Sequence, residues 1–203
     1  MKKEYTIKDL VYLMLGRIWW IIGAALICGL GAFLISDFAI PRKYQSNVSM
    51  YVRNKEDQKQ DINNSDLSVS KSLVSTYIVI LNNDAVMEQV GEQLLKQHTP
   101  EELSGNFTIK NGKITNESLK SAFTMAAVNN TEVLKITATT KNAALSAELC
   151  NIMADVAPEV LIRVVGAGSV EKIGDAKIYE AAVSPSVTKN TAIGFAGGAV
   201  LAI

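Results

Sequence analysis

His98 is the single histidine in a chain of 203 residues, and it sits in the polar run Gln97-His98-Thr99-Pro100. A Ser-His-Asp arrangement needs an imidazole between a nucleophile and a carboxylate, and a histidine-rich metal site needs at least a second ring. Neither can be assembled within one chain from a lone histidine in a turn, so His98 reads as a surface residue. Paired acids occur at Glu56-Asp57 and Glu101-Glu102. Adjacent carboxylates in a loop or a first helical turn are solvated and dipole-favoured rather than poised for proton exchange. Gly166-Ala167-Gly168 follows a helical pattern, whereas a phosphate-cradling glycine loop follows a strand and opens a helix, so it reads as a helix stop. Asn-x-Ser/Thr triplets at Asn47, Asn63, Asn106, Asn116 and Asn129 would carry glycans only in a eukaryotic secretory pathway. Cys28 and Cys150 lie in segments of different character and build no disulfide framework. The residues therefore predict no catalytic set, no cofactor and no metal site.

The element around which everything else must be arranged is residues 18–36, IWWIIGAALICGLGAFLIS, with no charge between Arg17 and Asp37. Nineteen residues at about 1.5 Å each span roughly 28 Å, close to the roughly 30 Å hydrocarbon core of a bilayer. The run exceeds the roughly 7–15 residues of a signal-peptide core, and Phe38-Ala39-Ile40-Pro41 makes a poor cleavage site. Trp19 and Trp20 mark its headgroup edge, and Lys2, Lys3, Lys8 and Arg17 against Glu4 and Asp9 place the leader, residues 1–17, in the cytoplasm. Residues 191–203, TAIGFAGGAVLAI, are again uncharged and read as the start of a second transmembrane helix whose remainder is missing from this chain. The expected organisation is a cytoplasmic amphipathic leader, one span over 18–36, an extracytoplasmic domain over 37–190, and the second span from 191.

Between the spans the charges nearly balance, with 16 Lys plus Arg against 18 Asp plus Glu over residues 37–190, so nucleic acid is not a partner the composition supports. Residues 43–54 alternate, with Tyr44, Val48, Met50 and Val52 on one face, and read as a strand. Leu73, Tyr77 and Ile80 belong to an apolar helical stripe, and Asn83-Asp84 restarts a second helix carrying Val86, Val90 and Leu94. Thr99-Pro100-Glu101-Glu102 starts a short helix. Asn111-Gly112 predicts a type I′ hairpin between short strands, and residues 121–128 and 132–140 a longer hairpin. Asn142 opens the longest helix, striped by Leu145, Leu149, Ile152, Val156 and Val160, with Pro158 expected to kink or divide it. Residues 170–173 and 177–183 are expected to return as strands. The fold class that results is α+β: an antiparallel or mixed sheet with helices on one side, flanked by two transmembrane helices.

Two sets of residues offer assembly surfaces. Ala25 and Gly29, and Gly194 and Gly198, are small residues four apart, a spacing that allows transmembrane helices to approach closely, within or between subunits. The stripes carrying Leu73, Tyr77 and Ile80, and Leu149, Val156 and Val160, offer larger apolar area, shared between the subunit's own core and a neighbour.

In order along the chain, the leader YTIKDLVYLMLGRIWWII, the strand KYQSNVSMYV after the first span, SVSKSLVSTYIVILNNDAVMEQV, NTEVLKITATTKNAALSAELCNIMA and the AAVSPS run before the second span resemble the chain-length determinant (Wzz) family. The likeness is to its short Gram-positive adaptors of capsular and exopolysaccharide synthesis. It implies a non-enzymatic co-polymerase subunit in the cell membrane that influences polymer length and assembles as a homo-oligomeric ring, of about eight subunits, head to tail. The implied partners are the lipid bilayer, a polysaccharide polymerase with its nascent polysaccharide, and a cytoplasmic bacterial tyrosine kinase. Only Pro185 stands where relatives carry several prolines, and the inner tail that activates the kinase in relatives is not in this sequence. The competing expectation is the ligand-sensing outer domain of a truncated membrane receptor.

Overall fold

The computed structural model describes residues 16–53, 66–129, 131–167 and 169–202, with residues 66–73 described in backbone only. Most of the expected leader helix, the loop over 55–64, the Ser65 cap, Gly168 and the side chains of Val69 and Leu73 lie outside the described residues. The described residues fall into two compact units, one within residues 16–42 and 183–202, the other between Lys43 and Ala182.

In the first unit, α1 (Ile18–Leu34) runs on through a five-residue π-helical turn, Ile35–Ala39. Together they form one helix over Ile18–Ala39, long and apolar enough to cross a membrane. Trp19 and Trp20 at its start are 82% and 79% exposed, which in water would be a large unsatisfied apolar surface.

The second unit is built on β1 (Tyr44–Arg53), the inner strand of an antiparallel sheet. Its alternation is the one the sequence predicts: Ser46, Val48, Met50 and Val52 are buried, while Gln45, Asn47, Ser49 and Tyr51 are half-buried. The chain continues through α2 (Asp66–Leu81), α3 (Asp84–Leu95), the single turn α4 (Pro100–Leu103), the hairpin β2 (Ile109–Lys110) and β3 (Lys113–Ile114), then α5 (Asn116–Ala122) and β4 (Phe123–Ala127). It closes with β5 (Val133–Thr140), the 23-residue α6 (Ala143–Val165) and β6 (Ser169–Ile173). The sheet order is β4-β5-β1-β6, antiparallel throughout, with Val48 opposite Ile136 and Tyr51 opposite Glu171. The α+β expectation holds, and the sheet is antiparallel rather than mixed.

Helix α6 covers the buried face of the sheet. Leu149, Cys150, Met153, Ala157 and Leu161 are fully buried along it, against Met50, Leu134 and Ile136. Pro158 does not divide it: the helix is continuous through that position. The lost backbone bond and ring crowding cost about 3 kcal/mol in an exposed helix. Here the burial of Ala157, Val160 and Leu161 around the proline offsets that cost. Gly166 ends the helix in the left-handed conformation at φ 67°, as the sequence predicts.

Two strand expectations are corrected. Ser121 and Ala122 belong to α5, whose Leu119 is fully buried, so the strand starts only at Phe123. Residues 177–183 form no strand, and their large apolar side chains, Ile178, Tyr179 and Val183, stay exposed rather than packing on the sheet. Side chains fasten that segment instead: Ala176 N–H donates to Asn151 Oδ1 at 2.9 Å, and Ser46 Oγ donates to the Lys177 carbonyl at 2.6 Å.

Candidate functional site

Helix α7 (Val187–Leu201) lies against α1, starting four residues before the expected boundary at 191. Gly194 and Gly198, four apart and therefore on one face, meet the face of α1 formed by Ala24, Ala25, Cys28 and Ala32. A Cβ on Gly198 would stand 2.7 Å from the Ala24 carbonyl oxygen and 2.9 Å from Ala25 Cα, while one on Gly29 would stand 2.7 Å from the Phe195 ring. Only hydrogen at Gly194 and Gly198 lets the backbones approach so closely, and hydrogen at Gly29 makes room for the Phe195 ring. The structure thus brings Ala25 together with Gly198, and Gly29 with Phe195. Ala24, Cys28 and Ala32 repeat the same four-residue spacing and could have been read from the sequence by that rule. At one end of the pair Asn190 Nδ2 donates to Ser36 Oγ at 2.7 Å, with Ser36 1% exposed. The π turn that contains Ser36 carries it to the contact face.

The helix faces offered as assembly surface sit deeper. Tyr77 and Val160 are 3% exposed and Leu149 is fully buried, whereas Ile80 and Val156 are half-buried. The first three belong to the core of Lys43–Ala182, and Leu73 has no described side chain.

Among the titratable groups, His98 is the one the structure relocates. Its Nε2 lies 2.8 Å from Glu148 Oε2 on α6, and its Nδ1 lies 3.5 Å from Glu102. Glu102 is also the closing residue of a capping box, accepting from Thr99 N–H at 3.2 Å. The imidazole therefore links the α3–α4 turn to the second turn of the longest helix. Its pKa is raised above the ordinary value, first by the hydrogen bond to Glu148, against the opposing effect of desolvation. The sequence placed His98 at the surface; it is part-buried because Glu148, fifty residues on, packs against it. Lys172 is held likewise between Asp175 at 2.8 Å and Asp155 at 3.0 Å, which raises its pKa. Cys150 is free, buried under β1 with Sγ 3.3 Å from the Ser46 carbonyl, and burial pushes its thiol up to about 12, far from the thiolate a nucleophile needs. Among the described residues no group of three His, Cys, Asp or Glu could hold a metal ion.

The outer face of the second unit also carries open depressions. Between α3 and α6 runs an open groove of about 340 Å³, lined by Gln89, Glu92, Gln93, Lys96 and Gln97 on one side and by Ile152, Asp155, Val156 and Glu159 on the other. It adjoins a second depression of about 370 Å³ that reaches Ala147, Glu148, Asn151, Ala176 and Ile178.

Comparison with known proteins bears on the apolar helix and the sheet together. The family model of the chain length determinant protein, Wzz, matches residues 3–94, which span α1, β1, α2 and most of α3. The chain resembles the Wzz family, as its leader and first strand imply. Three relatives extend the likeness over nearly the whole chain. The probable capsular polysaccharide biosynthesis protein YwqC of Bacillus subtilis is 24% identical over 200 residues, 98% of this chain and 74% of the relative. The capsular polysaccharide biosynthesis protein CpsC of Streptococcus pneumoniae is 25% identical over 98% of this chain and 82% of its own length. A Staphylococcus aureus capsular polysaccharide biosynthesis protein, CapA, is 22% identical over 100% of the chain and 84% of its own length. These relatives are named for capsular polysaccharide biosynthesis, which agrees with the polysaccharide expectation that the family resemblance implies.

Proposed function

We propose that this chain is a non-enzymatic membrane subunit of capsular or exopolysaccharide biosynthesis that regulates polymer length. In this reading α1 and α7 cross the cell membrane as an antiparallel pair, both termini are cytoplasmic, and the unit over Lys43–Ala182 stands outside. The subunits form a homo-oligomeric ring around or beside a polysaccharide polymerase and work together with a cytoplasmic tyrosine kinase. The observation that carries it is the combination of the apolar helix Ile18–Ala39 with a family match that starts ahead of that helix and runs through the first strand.

Two features support a role through geometry rather than chemistry. The thiol and the histidine are engaged in packing and in docking elements, and the small-residue faces of α1 and α7 are spent on each other within one chain. A contact between subunits then falls to the outer unit. The sensor alternative would call for a pocket that encloses a small ligand, whereas the grooves beside α6 are open.

Mass measurement of the full chain in lipid nanodiscs tests the assembly. Multiples of the 21.9 kDa subunit forming one dominant species above a tetramer are expected. A monomer across lipid compositions would remove the ring and favour the sensor.

A further inference from the structure

The corner over residues 99–107, which holds α4, is tied to the rest of its unit in three ways. Leu103 and Phe107 are buried and anchor it in the core. Lys141, between β5 and α6, donates its backbone N–H to Asn106 Oδ1 at 2.8 Å and its Nζ to the Gly105 carbonyl at 2.7 Å. His98 supplies the third tie, between Glu148 of α6 and Glu102 of α4. Helix α4 is a single turn, far below the roughly 12 residues at which an isolated helix holds itself. Its shape therefore depends on these ties and on its capping box.

The imidazole tie changes with pH in a way the other two do not. Protonated, the ring offers two N–H donors, Nε2 to Glu148 at 2.8 Å and Nδ1 toward Glu102 at 3.5 Å. Neutral, it keeps one. With the remaining proton held on Nε2 by the shorter contact, the lone pair of Nδ1 faces the same Glu102 Oε2 that accepts from Thr99 N–H and closes the capping box. Loss of the proton thus turns an attraction into a repulsion at the residue that holds α4 together. It also leaves the part-buried Glu148 carboxylate without a cation, since His98 is its only ion-pair partner among the described residues. No neighbouring charge takes over. Lys96 Nζ, at the end of α3, donates to Gln93 Oε1 at 3.3 Å, Lys141 Nζ is spent on Gly105, and Glu101 adds a further acid to α4. The raised pKa of His98, chiefly through Glu148, puts the change above 6.5.

We propose that His98 is a pH-dependent clasp, which holds the corner over residues 99–107 closed on α6 in mildly acidic surroundings and lets that corner alone open, with the sheet intact, as the surroundings turn alkaline. The drive is electrostatic: once the imidazole is neutral, opening moves both carboxylates away from the ring and into water. The clasp belongs to the fold of Lys43–Ala182 and stands whether or not the chain regulates polymer length.

Hydrogen exchange on the full chain in nanodiscs, read by mass spectrometry and corrected for the pH dependence of chemical exchange, tests the clasp. From about pH 6 to about pH 8.5 the protection of peptides covering residues 99–107 should fall about tenfold, the scale of one hydrogen bond to a charged group, while peptides covering β1 hold theirs. His98→Gln should leave residues 99–107 weakly protected at both ends of that range. Glu102→Gln is the sharper variant, because its carboxamide still accepts from Thr99 N–H and can also donate to the Nδ1 lone pair. It should keep the corner closed at about pH 8.5. Equal loss of protection in residues 99–107 and β1, constant protection of residues 99–107 in the parent, or a pH response unchanged in either variant would overturn the proposal.

Discussion

Asn190 donates its side-chain amide to the hydroxyl of Ser36, 154 residues earlier, at 2.7 Å, and Ser36 is buried by the contact. A polar pair at the rim of an otherwise apolar helix contact sets the register of α7 on α1, because sliding by one residue would leave both groups without each other. In a double-mutant cycle with Ser36→Ala and Asn190→Leu, unfolding of the full chain in detergent should give a coupling energy of about 1 kcal/mol. Strict additivity of the two changes would mean that the bond carries no stability.

Glycines on the two faces of α7 should respond differently. Gly198→Ile places a branched side chain against the Ala24 carbonyl and Ala25 Cα, whereas a Cβ on Gly197 meets nothing within 4 Å. The first variant is expected to lower the thermal midpoint in detergent by several degrees or to abolish folding, and Gly197→Ile to stay near the parent. Equal tolerance at both positions would contradict the pairing of α1 with α7.

His98 gives the outer unit a pH signature. Its folded-state pKa is raised, chiefly by Glu148, so the folded chain holds the proton more tightly than the unfolded one. The resulting stability is complete below the unfolded value of about 6.5 and is lost as pH rises through the higher folded value. The difference in thermal midpoint between parent and His98→Gln should therefore be largest near pH 5.5 and shrink by pH 8. A difference that grows with pH would show that the imidazole is held neutral instead.

Cys150 should be silent until the unit opens. With the thiol pushed up to about 12 and enclosed beneath β1, maleimide modification at pH 8 should track unfolding in denaturant rather than proceed in the native chain. Rapid labelling of folded protein at Cys150 would contradict the packing of α6 on the sheet.

Local chemistry made parts of this fold legible. Asn111 and Gly112 take φ 52° and 73°, the two left-handed positions a type I′ turn requires, and Asn-Gly is the dipeptide that accepts them. Alternation over β1 gave its buried face for the same reason: a period of two follows directly from strand geometry. What failed depended on neighbours. Asn116–Ala122 is too short to show a stripe and is held by Leu119, whose side chain fills the space beside Gly91. Residues 177–183 carry the Ile, Tyr and Val that favour a strand, but Ile178, Tyr179 and Val183 stay exposed, so no apolar burial holds the segment on the sheet. Likewise the Gln89, Gln93, Gln97 series was visible as spacing, yet nothing local says that α6 lies alongside it to form a groove.

The central claim is that this chain sets the length of a capsular polymer without catalysing its synthesis, and the size distribution of that polymer tests it most directly. In cells lacking the gene, polymer should still be made but with an altered or broadened length distribution, and expression of the full chain should restore the parental modal length. His98→Ala should restore it equally well. An unchanged distribution in the deletion strain, or loss of length control in His98→Ala at normal protein level, would contradict the account.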